Sequence, residues 1–329
     1  TSIGNYAFRY CDRLKTVNIK GGNNATIGYS AFNGCGALES LTIGNGVKTI
    51  STYAFEYCNK LVDLSLGNSV ETIGSYAFYD CNALEKLTIP NSVKTIGNYA
   101  FAGIESLKNV TIGSGCTSIH AYAFNGDTAL ESITVSEDNT VYSSVDGVLF
   151  NKDKTTILSY PKSRSGAYTI PNTVTEIGEA AFAECKNLTE ITIGDGVETI
   201  GASAFNGCTQ LSKVKFGKNI ISIGNSAFYN NTALTEVDLS VCTGLITIGN
   251  NTFQNNKELT TLTLPNYLKT IGSNAFYSCN KLTALETGSN LTSIGSYAFK
   301  NCSSLKTVNI KGGNNATIDY QAFYGCSGI

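Results

Sequence analysis

Three observations predict a solenoid of short parallel β-strands. A Phe recurs at a near-constant interval, a strand-like apolar alternation follows it, and Gly or Pro then closes the strand. The Phe positions are Phe8, Phe32, Phe55, Phe78, Phe101, Phe124, Phe182, Phe205, Phe228, Phe253, Phe276, Phe299 and Phe323, spaced 24, 23, 23, 23, 23, 58, 23, 23, 25, 23, 23 and 24 residues apart. A unit this short cannot enclose a core, so each copy must bury its apolar side chains against the copies on either side. At 23 residues per copy, 329 residues make about 14 rungs.

The copy from Ile73 to Thr95 illustrates each element. Leu84, Leu87 and Ile89 form an L-x-x-L-x-L run in which Leu87 and Ile89 alternate with the polar Lys86 and Thr88. That period of two marks a strand with one buried face, and stacked copies make a parallel sheet with rungs about 4.8 Å apart. Pro90 ends this strand, as Gly44, Gly67, Gly113 and Gly194 end others, by removing a ladder donor or loosening the backbone. Val93 and Ile96 turn inward on the opposite wall, and Gly97 permits a tight corner. Ala77-Phe78 suits a single helical or 3₁₀ turn, with the small Ala allowing close stacking and the Phe filling the interior.

Cys follows Phe by three residues at Cys11, Cys35, Cys58, Cys81, Cys185, Cys208, Cys279, Cys302 and Cys326; the other copies carry Ile104, Asp127, Asn231 and Asn256. A slot shared by Cys, Asn and Asp calls for a small side chain that hydrogen-bonds loop backbone from inside the coil, which a thiol does weakly. Disulfides and a metal cluster are the rival readings. Eleven Cys is an odd number, and one per rung lacks the C-x-x-C pairing of zinc sites. Cys116 takes the place of Val47, Val70 and Val93 and reads as an apolar substitute.

The motif I-G-x-x-A-F-x-x-C-x-x-L-x-x-[VIL]-x-[IL]-[PG]-x-x-V-x-x resembles the BspA-like leucine-rich repeat, found in surface proteins of anaerobic bacteria and some parasitic protists. The resemblance covers essentially the whole chain. It implies a leucine-rich-repeat solenoid, horseshoe-like and built mostly of short parallel strands. It also implies a secreted or wall-attached protein with roles in adhesion and in binding host or matrix proteins. It brings no catalytic residues or cofactor, and it assigns no binding residue.

The period breaks once inside the chain, between Phe124 and Phe182. Residues 136–167 are expected to be a hairpin-bearing insertion within a single solenoid spanning 1–329. The apolar runs Val141–Phe150 and Thr155–Pro161, flanking Asn151-Lys152-Asp153-Lys154, look like its two arms around a polar turn. The insertion is either an expanded structural rung or a binding protrusion presenting Tyr142, Phe150, Lys152 and Asp153. Asp138, Asp146, Asn151 and Asp153 do not follow the order of an EF-hand calcium loop. At the ends, residues 1–38 match 292–329 at 27 of 38 positions. The chain is therefore expected to belong to a longer array, with weak end-to-end self-association of the isolated piece.

Composition narrows the function. A net charge of −2 and a pI near 5.6 argue against nucleic-acid binding, which draws on clustered Lys and Arg. No apolar run reaches the 18 or so residues of a membrane helix. The lone His120 sits where most copies carry the corner Gly, and no G-x-S-x-G, H-E-x-x-H, P-loop or dinucleotide fingerprint occurs. A carbohydrate-active enzyme, needing a carboxylate pair, is a remote alternative.

Two surface stripes are the candidates for contact. The outward middle position of the main strand reads Asn18, Thr42, Ser65, Thr88, Thr111, Thr134, Thr192, Lys215, Asp238, Thr263, Glu286 and Asn309. Within it Thr88, Thr111, Thr134 and Thr192 are the expected binding residues, beside the hairpin. Tyr6, Tyr53, Tyr76, Tyr99, Tyr122 and Tyr297 lie two residues before Phe, as rung packing or as an exposed ribbon for protein or glycan. The sequence thus points to a non-enzymatic, extracellular or cell-surface scaffold that binds a host, matrix or cell-surface protein, or a glycan. The other reading is an architectural spacer carrying further domains.

Overall fold

The computed structural model describes residues 2–312 and 316–329. It consists of two compact units, one comprising 1–154 with 159–163 and the other 155–158 with 164–329. Each is a parallel β-solenoid, and each rung contributes to three walls.

The first wall is the main sheet. In the first unit Thr16–Ile19 pairs with Ser40–Ile43 and that with Asp63–Ser65, while Lys86–Ile89, Asn109–Ile112 and Ser132–Val135 form a second parallel group. Alternation does here what the sequence requires: Leu87 and Ile89 are buried while Lys86 and Thr88 face outward. In the second unit the corresponding groups are Gly166–Thr169 with Leu188–Thr192 and Lys213–Lys215, then Glu236–Asp238 with Thr261–Thr263, then Ala284–Glu286 with Thr307–Asn309.

The second wall is the Ile-Gly ladder. In the first unit it joins Ala25–Ile27, Val47–Ile50, Thr72–Ile73, Thr95–Ile96 and Ser118–Ile119 without interruption. In the second unit it runs unbroken from Thr156–Ser159 through Glu176–Ile177 to Thr317–Ile318. Gly97 matters at this wall because of crowding. A Cβ there would lie 2.6 Å from the Ser75 nitrogen and 2.8 Å from the Gly74 carbonyl carbon of the preceding rung.

The third wall replaces the expected helical or 3₁₀ turn. No helix forms among the described residues. Tyr76 and Asp80, two residues either side of Phe78, adopt left-handed φ values of 56° and 61°. The reversals aim alternate N–H groups along the stack: Tyr76 donates to Asn98 O (2.9 Å), Phe78 to Ala100 O (2.8 Å) and Asp80 to Ala102 O (3.0 Å). The residues between close local three-residue turns, Ala77 to Gly74 O and Tyr79 to Tyr76 O. The same left-handed pair recurs at Tyr53 and Tyr57, Ser203 and Gly207, and Asn274 and Ser278.

Inside the three walls the Phe rings stack. Centroids are 4.9–5.2 Å apart from Phe8 through Phe101 in the first unit and 4.8–5.3 Å apart from Phe182 through Phe323 in the second. Phe78 is fully buried between Phe55 and Phe101. Phe78→Ala is expected to cost about 3–5 kcal/mol, because it removes burial and leaves a cavity. Glu85→Ala, on the outward face, should cost under about 0.5 kcal/mol. Equilibrium urea unfolding of the two variants checks the inward and outward assignment, and equal losses would refute it.

Candidate functional site: the outward sheet face and its surroundings

Thr88, Thr111 and Thr134 occupy equivalent outward positions on three hydrogen-bonded strands of the first unit, and all three are exposed. Thr111 Oγ1 and Thr134 Oγ1 lie 3.2 Å apart, and Thr134 Oγ1 also reaches Val110 O at 3.3 Å. The stripe is therefore partly cross-linked, with the hydroxyl of Thr88 at its open margin. Thr192 ends the strand Leu188–Thr192 of the second unit and is half-buried. The neighbouring column carries ion pairs between rungs, Lys15 with Glu39 at 3.5 Å and Lys108 with Glu85 at 3.2 Å. Exposed pairs of this kind contribute about 0–1 kcal/mol each. Shallow grooves lie on this face, one bordered by Thr42, Ser65 and Thr88 and others by Lys215 and Asp238 or by Thr263 and Glu286.

The insertion takes the form of an expanded rung with two reversals, one of them at the polar run that the sequence singles out. Its hairpin pairs Tyr142–Val145 with Val148–Asn151, and the reversal occurs at Asp146-Gly147, with φ of 47° and 74°. Two consecutive left-handed residues are the geometry of a type I′ turn, which favours Asp-Gly. The Asn151–Lys154 run makes the next reversal, between Val148–Asn151 and Thr156–Ser159, with Lys154 at a left-handed φ of 59° and its N–H donating to Asn151 O at 3.1 Å. Tyr142 and Phe150 are only 7% and 2% exposed, so the packed interior withholds both from a surface partner. The Tyr142 hydroxyl accepts a bond from Ile119 N at 2.9 Å, extending the second wall. Lys152 and Asp153 are exposed, and the Lys152 ammonium donates to the carbonyls of Glu137 and Asn139. Asn139, which the sequence reading passed over, is fully buried and uses its whole amide. It donates to Gly113 O and Cys116 O and accepts from Val141 N and Tyr142 N, all at 2.8–3.0 Å. An Asn ahead of an Asp-Gly hairpin was the only signal available.

The Tyr ribbon is packing in its central part. Tyr53, Tyr76, Tyr99 and Tyr122 stack at 5.0, 5.0 and 5.3 Å with ring planes within 24° of parallel. Their faces cover one another, so no open platform remains between them for a sugar ring. His120 lies exposed at its corner, and its Nδ1 accepts from Tyr122 N at 3.4 Å.

The Cys slot behaves as its mixed occupancy implies. All eleven cysteines are free, and nine are buried. Cys81 Sγ donates to Phe55 O at 3.3 Å, Cys208 to Phe182 O at 3.1 Å and Cys302 to Phe276 O at 3.2 Å, always to the Phe of the preceding rung. Asn256 fills the slot with bonds to Phe228 O and Phe253 O, and Asp127 accepts from Ile104 N at 2.8 Å. Among the described residues no group of three or more His, Cys, Asp or Glu side chains is placed to hold a metal ion.

The chain matches the model of the BspA-type leucine-rich-repeat region over residues 1–82, 25–156, 159–244 and 239–329. It belongs to the BspA-type leucine-rich-repeat family. Solved bacterial leucine-rich-repeat proteins share its fold. One from Bacteroides ovatus is 27% identical, with all of this chain and 81% of that one aligned at a TM-score of 0.68. Another, from Eubacterium ventriosum, is 29% identical over 93% of this chain and 87% of that one, with a TM-score of 0.70. A leucine-rich cell-surface protein of Faecalibacterium prausnitzii is 24% identical over 97% and 86%, with a TM-score of 0.60. No curated protein matches the chain significantly. Scaffolds of this BspA-type family are in general non-enzymatic and bind other proteins, and no helix among the described residues is long and apolar enough to cross a membrane.

Burial makes the interior thiols, in the slot and outside it, weak acids. It pushes Cys35 up to about 12 and Cys116 and Cys242 each up to about 11, against roughly 8.5 for a free thiol. The native state then keeps protons that the unfolded chain loses. Stability is fully present below pH of about 8.5 and falls as pH rises toward the folded values, by up to about 1.4 kcal/mol per pH unit for each such thiol. Urea midpoints measured from pH 7 to 10.5 should fall above about pH 8.5, and Cys116→Val should make that fall shallower. In native protein the nine buried thiols should resist a bulky thiol reagent, which reaches only Cys11 and Cys326, while denatured protein takes up the equivalent of its eleven cysteines. A flat pH profile together with rapid native labelling would refute the buried-thiol ladder.

Proposed function

We propose that this chain is a non-enzymatic binding scaffold displayed outside the cell or on its surface, and that it engages a protein partner through its outward sheet face. The observation that carries the reading is the exposed stripe Thr88, Thr111 and Thr134, held in register on three paired strands. A rigid ladder of hydroxyls offers donors and acceptors whose ordering is already complete before a partner arrives, which lowers the cost of binding. Family membership and a cell-surface relative support the setting. Proteins of a host, a matrix or another cell surface are the proposed partners. A glycan is less suited, because the central Tyr faces are covered.

The test is binding of purified protein to immobilised basement-membrane extract, compared with Thr111→Lys and with Lys152→Ser/Asp153→Ser. Thr111→Lys, placed mid-stripe, should weaken binding by at least about tenfold, equivalent to about 1.4 kcal/mol, without moving the unfolding midpoint. The hairpin variant reads the share of the exposed Lys152 and Asp153. Undiminished binding by both, or binding that survives replacement of whole repeats, would favour the architectural spacer.

A further inference from the structure

The main sheet of the first unit has a gap where its second wall has none. Asp63–Ser65 is hydrogen-bonded to Ser40–Ile43 and Lys86–Ile89 to Asn109–Ile112, but the two strands do not pair with each other. Their Cα atoms, isolated pairs apart, are more than 8 Å from one another, whereas paired strands lie about 4.8 Å apart. Behind them Thr72–Ile73 and Thr95–Ile96 remain paired. The two rungs thus share a hinge at the back and splay at the front, and the cleft between them opens into a groove of about 640 Å³ that also extends over Ser40, Leu41 and Thr42.

The walls of this cleft are incomplete in ways that match one another. Elsewhere Lys108 and Asn109 donate to Glu85 O. The equivalent donors Glu85 and Lys86 have no such acceptor, since Val62 O lies across the gap. Leu64 and Leu66 are half-buried, although their counterparts Leu41, Ile43, Leu87 and Ile89 are at most 2% exposed. Val62, at the rim, is 52% exposed. Leu41, Leu64 and Ala83 give the floor an apolar part, and both walls are unpaired strand edges. One intervening strand needs roughly 9.5 Å between its neighbours.

Charge selects the occupant. The column at the head of the strands reads Lys15, Glu39, Val62, Glu85, Lys108, and its lysines pair with the adjacent glutamates. Val62 interrupts that alternation at the cleft, leaving an uncharged position between Glu39 and Glu85, while Asp63 and Lys86 stand at equivalent positions of the next column. We propose that the cleft receives an extended segment of a partner protein as an added strand, led by a Lys or Arg and followed by alternating apolar residues. Its basic residue lies along Val62 and between Asp63 and Glu85, its apolar side chains cover Leu64 and Leu66, and its backbone bonds to one or both edges. This rests on the reading that the chain binds proteins, and it names one site and one kind of partner.

The probe is the capped peptide Leu-Lys-Asn-Val-Thr-Ile-Gly, the chain's own 107–113 sequence, which already pairs with the far edge of Lys86–Ile89. Residue-resolved hydrogen exchange is measured on the whole chain. In free protein the Lys86 and Thr88 amides should exchange at least about tenfold faster than Asn109 and Thr111, and saturating peptide should slow them to a similar rate. At low salt a peptide with Glu for Lys should bind at least about tenfold more weakly, and one with Pro for Val should not protect the amides. Equal protection of Lys86 and Asn109 in free protein would show a cleft closed on itself, with Asp63 opposite Lys86, and would overturn the proposal. So would failure of the peptide to protect, or indifference to its charge. If the peptide fails while the binding to matrix extract persists, this site alone is refuted and the broader reading stands.

Discussion

Everything in this protein depends on holding successive rungs about 5 Å apart. The Phe stack sets that distance in the interior, with centroids 4.8–5.3 Å apart through most of both units. Three hydrogen-bonded walls are compatible with it only because the rest of the repeat gives way. Gly97 leaves no Cβ to strike the rung before it, Ala77 is small enough to be fully buried, and Cys81 reaches back to the Phe55 carbonyl without filling the space a larger polar group would need. The Cys column is thus a by-product of rung spacing. A thiol is a weak donor, but it satisfies the Phe carbonyl of the preceding rung, as the Asn256 amide does in the same slot.

Inward and outward positions were legible because burial enforces a period of two along the strand, and Leu87 and Ile89 against Lys86 and Thr88 follow it. The third wall was harder to read. A short run such as Tyr76-Ala77-Phe78-Tyr79-Asp80 has no periodicity of its own, and a Tyr in the left-handed region runs against its local preference, at a cost of about 1–2 kcal/mol. Stacking compensates, since the Tyr rings and the inter-rung bonds of Tyr76 and Asp80 depend on that backbone. A signal did exist two residues after Phe, where Gly34, Asp80, Gly103, Gly126, Gly207, Asn230 and Asn255 are residue types suited to left-handed φ. The insertion was legible only in part. Its polar Asn151–Lys154 run marks a reversal, but the second one, at the dipeptide Asp146-Gly147 with its paired positive φ values, lies inside what reads as one continuous apolar arm.

The candidate surface was half legible. Thr88, Thr111 and Thr134 are exposed where alternation puts them, whereas Tyr142 and Phe150 looked available only because an insertion resembles a protrusion. Their burial shows the insertion solving the same problem as every other rung. Asn139 saturates two carbonyls and two amides at the point where the period fails. The departures from regularity are therefore of two kinds. At the hairpin the irregular backbone is fully satisfied. At the cleft between Asp63–Ser65 and Lys86–Ile89 the strand edges and part of the apolar floor are left unfinished.

If rung-to-rung stacking is the source of stability, free energy is a sum of nearest-neighbour terms and should scale with the number of rungs. Variants lacking one, two or three whole interior repeats between Phe205 and Phe276 would retain every type of contact while shortening the stack. Urea unfolding of this series should give stability and m-values that fall in near-equal steps with each repeat removed. Loss of folding on removal of a single interior repeat, or stability independent of repeat number, would contradict the account.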